Sequence, residues 1–272
     1  MRQVEGSVML VTGSTDGIGK ETARRLAEMG ATVLVHGRSR ERGEEALEEL
    51  REGTGNENLR LVVGDLSSMA QVRDLAEQVR SEHDGLDVLI NNAGVVAEER
   101  TETEDGYELT FAVNHLAPFL LTNLLLDELR RAAPSRIITV SSIAHGGARI
   151  DFDDPNLRSG YSMNRAYARS KLANLLFTYE LARRLEGTGV TANALHPGVI
   201  GTKLLATGFG GGGSSVESGA ETSVYLATSP EVEGVTGKYF RGRREAESSP
   251  ASHDEEAQRK LWELSERMVG LA

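Results

Sequence analysis

The stretch Val8-Met-Leu-Val-Thr-Gly-Ser-Thr-Asp-Gly-Ile-Gly19 decides the fold. Its first four residues form a short apolar run of strand length, and Ile18, Thr22, Leu26 and Met29 then recur at helical spacing over residues 17–29. Between strand and helix lies a loop whose glycines stand at Gly13, Gly17 and Gly19. Glycines let a backbone come close to a pyrophosphate, and a helix N-terminus offers free N–H groups at the positive end of its dipole. The order is the one phosphate binding needs, although glycines that serve only a tight turn would read the same. The spacing is GxxxGxG, not GxGxxG, and no Gly-Lys-Ser/Thr comes after it to make a P-loop.

Working outward, apolar runs at 32–36, 59–63, 86–90, 136–140, 190–195 and 238–240 read as strands. Helical patterns fall between or beyond them at 41–51, 68–82, 104–131, from Tyr167 to about 184, 217–227 and 255–268, the last containing Trp262. Strands that alternate with helices imply an α/β fold, a doubly wound, Rossmann-like parallel sheet of seven strands with helices on both faces. No internal repeat or composition break marks a second domain. Residues 1–245 are therefore read as one dinucleotide-binding and catalytic domain, and 246–272 as a loop and helix packed on it.

Composition narrows the function classes. The chain has 272 residues, 39% hydrophobic and 26% charged, as an ordinary globular protein does. A net charge of -11 argues against a nucleic-acid surface and against docking on anionic lipid. Cysteine is absent, which excludes disulfides, thiolate catalysis, iron–sulfur clusters and cysteine zinc sites. No HExxH or clustered His/Asp set points to a metal. Residues 1–6 show no apolar signal-peptide core, and the most apolar later stretch, 116–129, is interrupted by Pro118, Thr122, Asn123 and Asp127. The expectation is a soluble, cytoplasmic protein with no membrane anchor.

Residues with chemical potential gather at the ends of the strands. The second strand ends His36-Gly37-Arg38-Ser39-Arg40, with no acid where one would hold ribose hydroxyls. An arginine there suits a 2′-phosphate, so NADP is expected over NAD; solvated loop arginines are the alternative. Asp65 ends the third strand, placed to accept from an adenine amino group or merely to cap the segment after it. Asn91-Asn92-Ala93-Gly94 ends the fourth, where small and amide residues suit close ligand contact or any turn. Asn114 lies inside a helical pattern, which points to a distortion or a polar site, and His115 is expected to pack or hydrogen-bond. Ser141-Ser142 ends the fifth strand, and the sixth leads into the rigid turn His196-Pro-Gly-Val-Ile-Gly-Thr202. The run Gly210 to Gly213 reads as a mobile lid or an inert linker.

Tyr167 and Lys171 lie four apart on one helix, so both project from one face. A free phenol has a pKa near roughly 10, and an ammonium held close favours the phenolate. Alone, such a pair is more often a packed aromatic beside a solvated lysine.

In order, Thr12-Gly13-xxx-Gly17-Ile18-Gly19, Asp65, Asn91-Asn92-Ala93-Gly94, Asn114, Ser142, Tyr167-xxx-Lys171 and Pro197-Gly198 resemble the short-chain dehydrogenase/reductases over roughly residues 7–240. Val140-Ser-Ser-Ile-Ala-His145, Ser170-Lys-Leu-Ala-Asn174 and His196-Pro-Gly198 resemble the retinol dehydrogenase branch. Residues 1–6 lack the membrane-anchoring segment of many members of that branch, which speaks against a membrane-dissolved retinoid.

The resemblance implies an oxidoreductase that moves a hydride between NADP(H) and a carbonyl or alcohol carbon of a small, apolar molecule. It makes Tyr167 the general acid/base, Ser142 the group orienting the reacting oxygen, Lys171 the partner of both the tyrosine and the nicotinamide ribose, and Asn114 the holder of a relay water. It assigns Gly13, Ser14, Thr15, Gly17, Ile18 and Gly19 to the phosphates, Arg38, Asp65, Leu66, Asn91, Ala93 and Gly94 to the adenosine side, and Pro197, Gly198, Val199 and Thr202 to the nicotinamide side. Residues 152–164 are expected to help close the substrate pocket, with apolar lining from Leu204, Leu205 and Phe209. A homodimer or homotetramer would pair through the helices at 104–131 and 161–184. Two other readings stay open: a non-catalytic NADP-binding sensor, and a reductase of small aliphatic carbonyls unrelated to retinoids.

Overall fold

The computed structural model describes residues 4–272. Seven strands, β1 (Val8–Val11), β2 (Thr32–Gly37), β3 (Leu59–Val63), β4 (Val88–Asn91), β5 (Ser135–Val140), β6 (Val190–His196) and β7 (Tyr239–Arg241), pair in parallel. An eighth, β8 (Arg244–Glu245), adds antiparallel to β7, and the order is β3-β2-β1-β4-β5-β6-β7-β8. The seven-strand expectation thus gains one strand just beyond the apolar run at 238–240. Gly242 and Arg243 both take positive φ, 58° and 63°, the geometry of a tight hairpin turn. A two-residue strand carries no alternation to betray it.

Helices α1 (Gly17–Glu28), α2 (Arg40–Thr54), α3 (Met69–Glu82), α4 (Leu109–Phe111), α5 (Ala117–Leu124), α6 (Leu126–Arg131), α7 (Met163–Arg184), α8 (Lys203–Phe209), α9 (Val216–Thr228) and α10 (Glu255–Val269) cover both faces. The strand residues alternate between two cores, as a period of two requires. Leu10, Leu89 and Ile137 join Leu75, Leu120, Leu172 and Trp262 on one face. Met9, Val11, Ile90 and Ile138 join Leu26, Leu50 and Leu226 on the other. Burial on both faces is why the central strands read as continuous apolar runs.

The order reverses between β1 and β4, so the loops after these two strands diverge and open a crevice at their C-terminal ends. Residues 104–131 are not one helix: a π-helical turn, Ala112–Leu116, separates α4 from α5 and contains Asn114. Such turns cluster at functional sites.

The C-terminal helix lies across α5 and α7. Trp262 meets Phe119 edge-on at 4.9 Å between centroids and stacks on Phe177 at 5.9 Å, and the Arg184 guanidinium sits 4.2 Å from its ring. Ser265 binds His115 Nε2 at 2.9 Å, so His115 is buried and hydrogen-bonded as expected. α10 packs on α7 and α5, the two helices through which two copies were expected to pair. No helix among the described residues is long and apolar enough to cross a membrane.

Trp262 is 4% exposed and joins three helices. Trp262→Ala is expected to lower unfolding free energy by about 3–5 kcal/mol, read as a reduced urea midpoint.

Candidate active site

Two loops touch at the crevice with no room for side chains. Gly13 has φ 64°, and a Cβ there would lie 3.0 Å from Ala93; one on Gly19 would lie 2.2 Å from the Gly13 carbonyl oxygen. Thr12 Oγ1 accepts from the N–H groups of Asn92 at 3.0 Å and Ala93 at 3.1 Å, and the Asn92 amide donates to the Thr12 carbonyl at 2.8 Å. These bonds stitch the loop after β1 to the loop after β4.

His36 supports the same loop, a role that the sequence reading missed. Its Nδ1 accepts from the Gly13 N–H at 2.9 Å, so its proton sits on Nε2, which donates to the Gly64 carbonyl at 3.0 Å. Burial pushes this imidazole down to about 4. Ser14 is fully buried: its hydroxyl donates to the Val11 carbonyl at 2.7 Å and accepts from the His36 N–H at 2.8 Å. Ser14 shapes the loop from behind and does not line the cleft.

The cleft encloses about 1060 Å³. Gly13, Thr15, Gly17, Ile18 and Gly19 line its phosphate end, where the first-turn N–H groups of α1 have no intrahelical partner. Asp16 caps that helix, accepting from the Gly17 N–H at 2.8 Å, and is ion-paired with Lys203 of α8, which holds its carboxyl below the usual range. Arg38, Asp65, Leu66, Ala93 and Gly94 also line the cleft, and Arg38 is exposed without an ion pair among the described residues. Asp65 Oδ1 accepts from the Ser67 N–H at 2.8 Å and hydroxyl at 2.7 Å, so it caps the next turn as well as facing the cleft. Asn91 does neither: its amide donates to Thr122 Oγ1 of α5 at 3.0 Å, and its neighbour Asn92 lines the cleft instead. In a strand the side chain one residue on points to the opposite face.

At the other end stand Ser142, Tyr167, Lys171, Pro197, Gly198, Val199 and Thr202. Ser141 is turned away, donating to the Lys171 carbonyl at 2.7 Å, whereas Ser142 is hydrogen-bonded to Tyr167. Lys171 Nζ lies 5.5 Å from the Tyr167 ring centroid and donates to the Val140 carbonyl at 3.0 Å. Burial pushes its ammonium down to about 8. The expected lowering of the phenol by this lysine is not found here. Burial pushes Tyr167 up, opposed by the Ser142 bond, because the ammonium is directed at a carbonyl rather than at the phenol oxygen.

Asn114 does not line the cleft. Its Oδ1 accepts from the Val95 N–H at 2.8 Å, and its Nδ2 donates to the Val95 carbonyl and to Ser170 Oγ, both at 3.0 Å. Gly94 lies between it and the lysine: a Cβ there would be 3.5 Å from both Asn114 Oδ1 and Lys171 Nζ.

Of residues 152–164, Met163 lies near the cover of the cleft, since a Cβ on Gly208 of α8 would be 3.6 Å from its sulfur, and the others do not line it. They are held against α4 and α7 by Arg169 Nη1 donating to the Asp154 carbonyl at 3.1 Å, and by Asn156 Oδ1 accepting from the Glu108 N–H at 3.0 Å. The cover is α8, where Leu204 and Leu205 face Val95, Leu109, Val113 and Ile143 across the opening. The Phe209 side chain lies outside the described residues. α8 follows Thr202 directly, and the Thr202 hydroxyl caps it by accepting from the Leu205 N–H.

A family model described as short chain dehydrogenase matches residues 7–209. The chain belongs to that family. Retinol dehydrogenase 14 of Mus musculus is 46% identical to it, over 98% of this chain and 87% of the relative. Retinol dehydrogenase 13 of Homo sapiens is 45% identical, over 98% and 86%. Among solved structures, an uncharacterised protein from Mycobacterium paratuberculosis superposes with a TM-score of 0.84 at 36% identity, covering 98% of this chain and 95% of that one. The RhlG/NADP active-site complex of Pseudomonas aeruginosa gives 0.72 at 27% identity, covering 88% and 97%. An oxidoreductase of the alcohol/carbonyl type follows from this membership.

Three buried imidazoles, His36, His115 and His196, are held at about 4, 3 and 4. Below pH 6.5 the unfolded chain takes up protons that these folded rings refuse, so stability falls as pH drops from 6.5 toward 4. Urea midpoints measured across that range are expected to decline, and His36→Gln to make the decline shallower.

Proposed function

We propose that this oxidoreductase transfers a hydride between NADP(H) and an apolar carbonyl or alcohol of retinoid-like bulk. The observation that carries the reading is the placing of Ser142, Tyr167 and Lys171 at one end of the cleft that has Arg38 and the α1 N-terminus at its other end. The glycine cradle fits a dinucleotide, because the positions where a Cβ would collide are those where a pyrophosphate must come close to backbone. Arg38, exposed and without an ion pair among the described residues, suits a 2′-phosphate, and a family member solved with NADP accords with this choice.

When bound, the nicotinamide supplies or accepts the hydride. The chain's own part is proton handling and orientation. Ser142 donates to the reacting oxygen and fixes it beside the Tyr167 hydroxyl. Tyr167, kept protonated by its burial, gives its proton to the developing alkoxide in reduction and takes it back in oxidation. Lys171, whose ammonium turns to the Val140 carbonyl and not to the phenol, would hold the nicotinamide ribose hydroxyls. A water held near Gly94 between Lys171 and Asn114 would extend the proton path, since a Cβ on Gly94 would lie 3.5 Å from both Lys171 Nζ and Asn114 Oδ1. Val95, Leu109, Val113, Ile143, Leu204 and Leu205 make the substrate end apolar, which favours a long hydrocarbon over a polar sugar or acid.

Tyr167→Phe is expected to lower kcat by about 10²- to 10⁴-fold while NADPH still binds. A panel of aldehydes, ketones and alcohols, followed by nicotinamide absorbance, checks the rest: retinaldehyde and long-chain aldehydes should outpace short ones. Arg38→Ser should raise KM for NADPH about tenfold and leave NADH little changed. Full turnover in Tyr167→Phe, or a wild-type preference for NADH, would remove the proposal's basis.

A further inference from the structure

Behind Ser142 the C-terminal segment reaches into the site through one histidine. His145 ends the 3₁₀ turn that begins after Ser142, and it is buried. The Ser142 carbonyl oxygen accepts from His145 Nδ1 at 2.5 Å and from the His145 backbone N–H at 3.2 Å. On the ring's far side, the backbone N–H of Ser249 donates to Nε2 at 3.0 Å. A backbone amide can only donate, so Nε2 carries the lone pair and Nδ1 the proton. Tyr239 packs edge-on against the ring at 5.3 Å between centroids. The imidazole is thus a rigid strut from residue 249 to the peptide of Ser142.

The other end of the strut is anchored to α7. Ser248 Oγ is within hydrogen-bond distance of the Tyr179 hydroxyl at 2.7 Å, Ser252 Oγ at 2.6 Å and His253 Nε2 at 2.9 Å. Tyr179 also stacks on His253 at 5.2 Å, and Tyr179 belongs to the helix that carries Tyr167 and Lys171. The 248–253 segment therefore joins the loop bearing Ser142 to the helix bearing its partners. Ser142 needs such a tie, since its hydroxyl otherwise relies on the Ala144 N–H at 3.2 Å and on Tyr167 itself.

We propose that His145 is a positioning residue which sets the Ser142 hydroxyl against Tyr167, and that the 248–253 segment is the clamp that fixes His145. This rests on the reading of Ser142 and Tyr167 given under Proposed function. A shift of about 1 Å in a catalytic group costs on the order of a hundredfold in rate, so a loosened strut should be visible in turnover.

Two variants cut the strut at different atoms. His145→Phe keeps a flat ring beside Tyr239 and makes neither bond. Ser249→Pro replaces the N–H that reaches Nε2 with a ring carbon, which breaks that bond and crowds the imidazole, at a residue whose φ of -64° suits proline. Each is expected to lower kcat by about ten- to a hundredfold with the NADPH dissociation constant unchanged, and the double variant to fall no further than the worse single one. Melting temperature should fall in Ser249→Pro, where a ring carbon displaces a bonded N–H, without any change in the NADPH dissociation constant. Unchanged kcat in both variants would overturn the proposal, as would losses that multiply, or losses that come with weaker cofactor binding. A second arm does not depend on turnover: nitrogen NMR of histidine-labelled protein should show His145 protonated on Nδ1, with the Nε2 resonance shifting in Ser249→Pro. A ring protonated on Nε2 would also overturn it. If wild type and Tyr167→Phe turn over alike, the reading of Tyr167 falls, and the tautomer arm still decides whether the strut exists.

Discussion

Two backbones pass each other without space for a side chain where Gly13 meets Ala93 and Gly19 meets the Gly13 carbonyl. That close approach follows from the pairing of β1 beside β4, so that the two loops start side by side before they diverge around the crevice. Thr12, Asn92 and His36 hold the loops there with five hydrogen bonds, two accepted by the Thr12 hydroxyl, one donated by the Asn92 amide to the Thr12 carbonyl and two made by the imidazole. Each of these groups is buried or nearly so, and an unpaired polar atom in that place would cost about 1–3 kcal/mol. The crevice is therefore rigid on the side where phosphate is to be held.

The opposite end is built on desolvation. Lys171 and Ser170 are buried beneath the cleft, Asn114 is fully buried in a π-helical turn, and all three reach backbone or one another rather than water. Burial pushes the lysine down to about 8 and the phenol up, so the tyrosine rests protonated while the lysine keeps most of its charge near neutral pH. Charge arriving in the cleft then has a large effect because little solvent screens it.

Much of this was legible in the sequence, for physical reasons that differ by region. The apolar runs around Met9, Leu89 and Ile137 had to be buried on both faces, which forced a parallel sheet. Gly13, Gly19, Ser142, Tyr167 and Lys171 could be placed because their spacing is local to one loop, strand end or helix. What escaped was long-range. The pairing of His36 with Gly64, of His145 with Ser249, and of Asp16 with Lys203 joins residues far apart in the chain, and no periodicity marks such partners. The Asn91 side chain turns to Thr122 while Asn92 lines the cleft, a difference of one residue to which strand alternation is sensitive. Residues 152–164 were expected to help close the pocket; Met163 approaches its cover, whereas buried Arg169 holds the Asp154 carbonyl against α7.

The chemistry of this cleft turns on where the hydride goes. In a single turnover with NADPH deuterated at the transferring C4 position and retinaldehyde as acceptor, mass spectrometry of the product should find deuterium on the carbinol carbon. A slowed rate relative to unlabelled NADPH should accompany it. Product without deuterium, or no product from any apolar aldehyde while NADPH binds tightly, would contradict the claim that this cleft performs hydride transfer beside Tyr167.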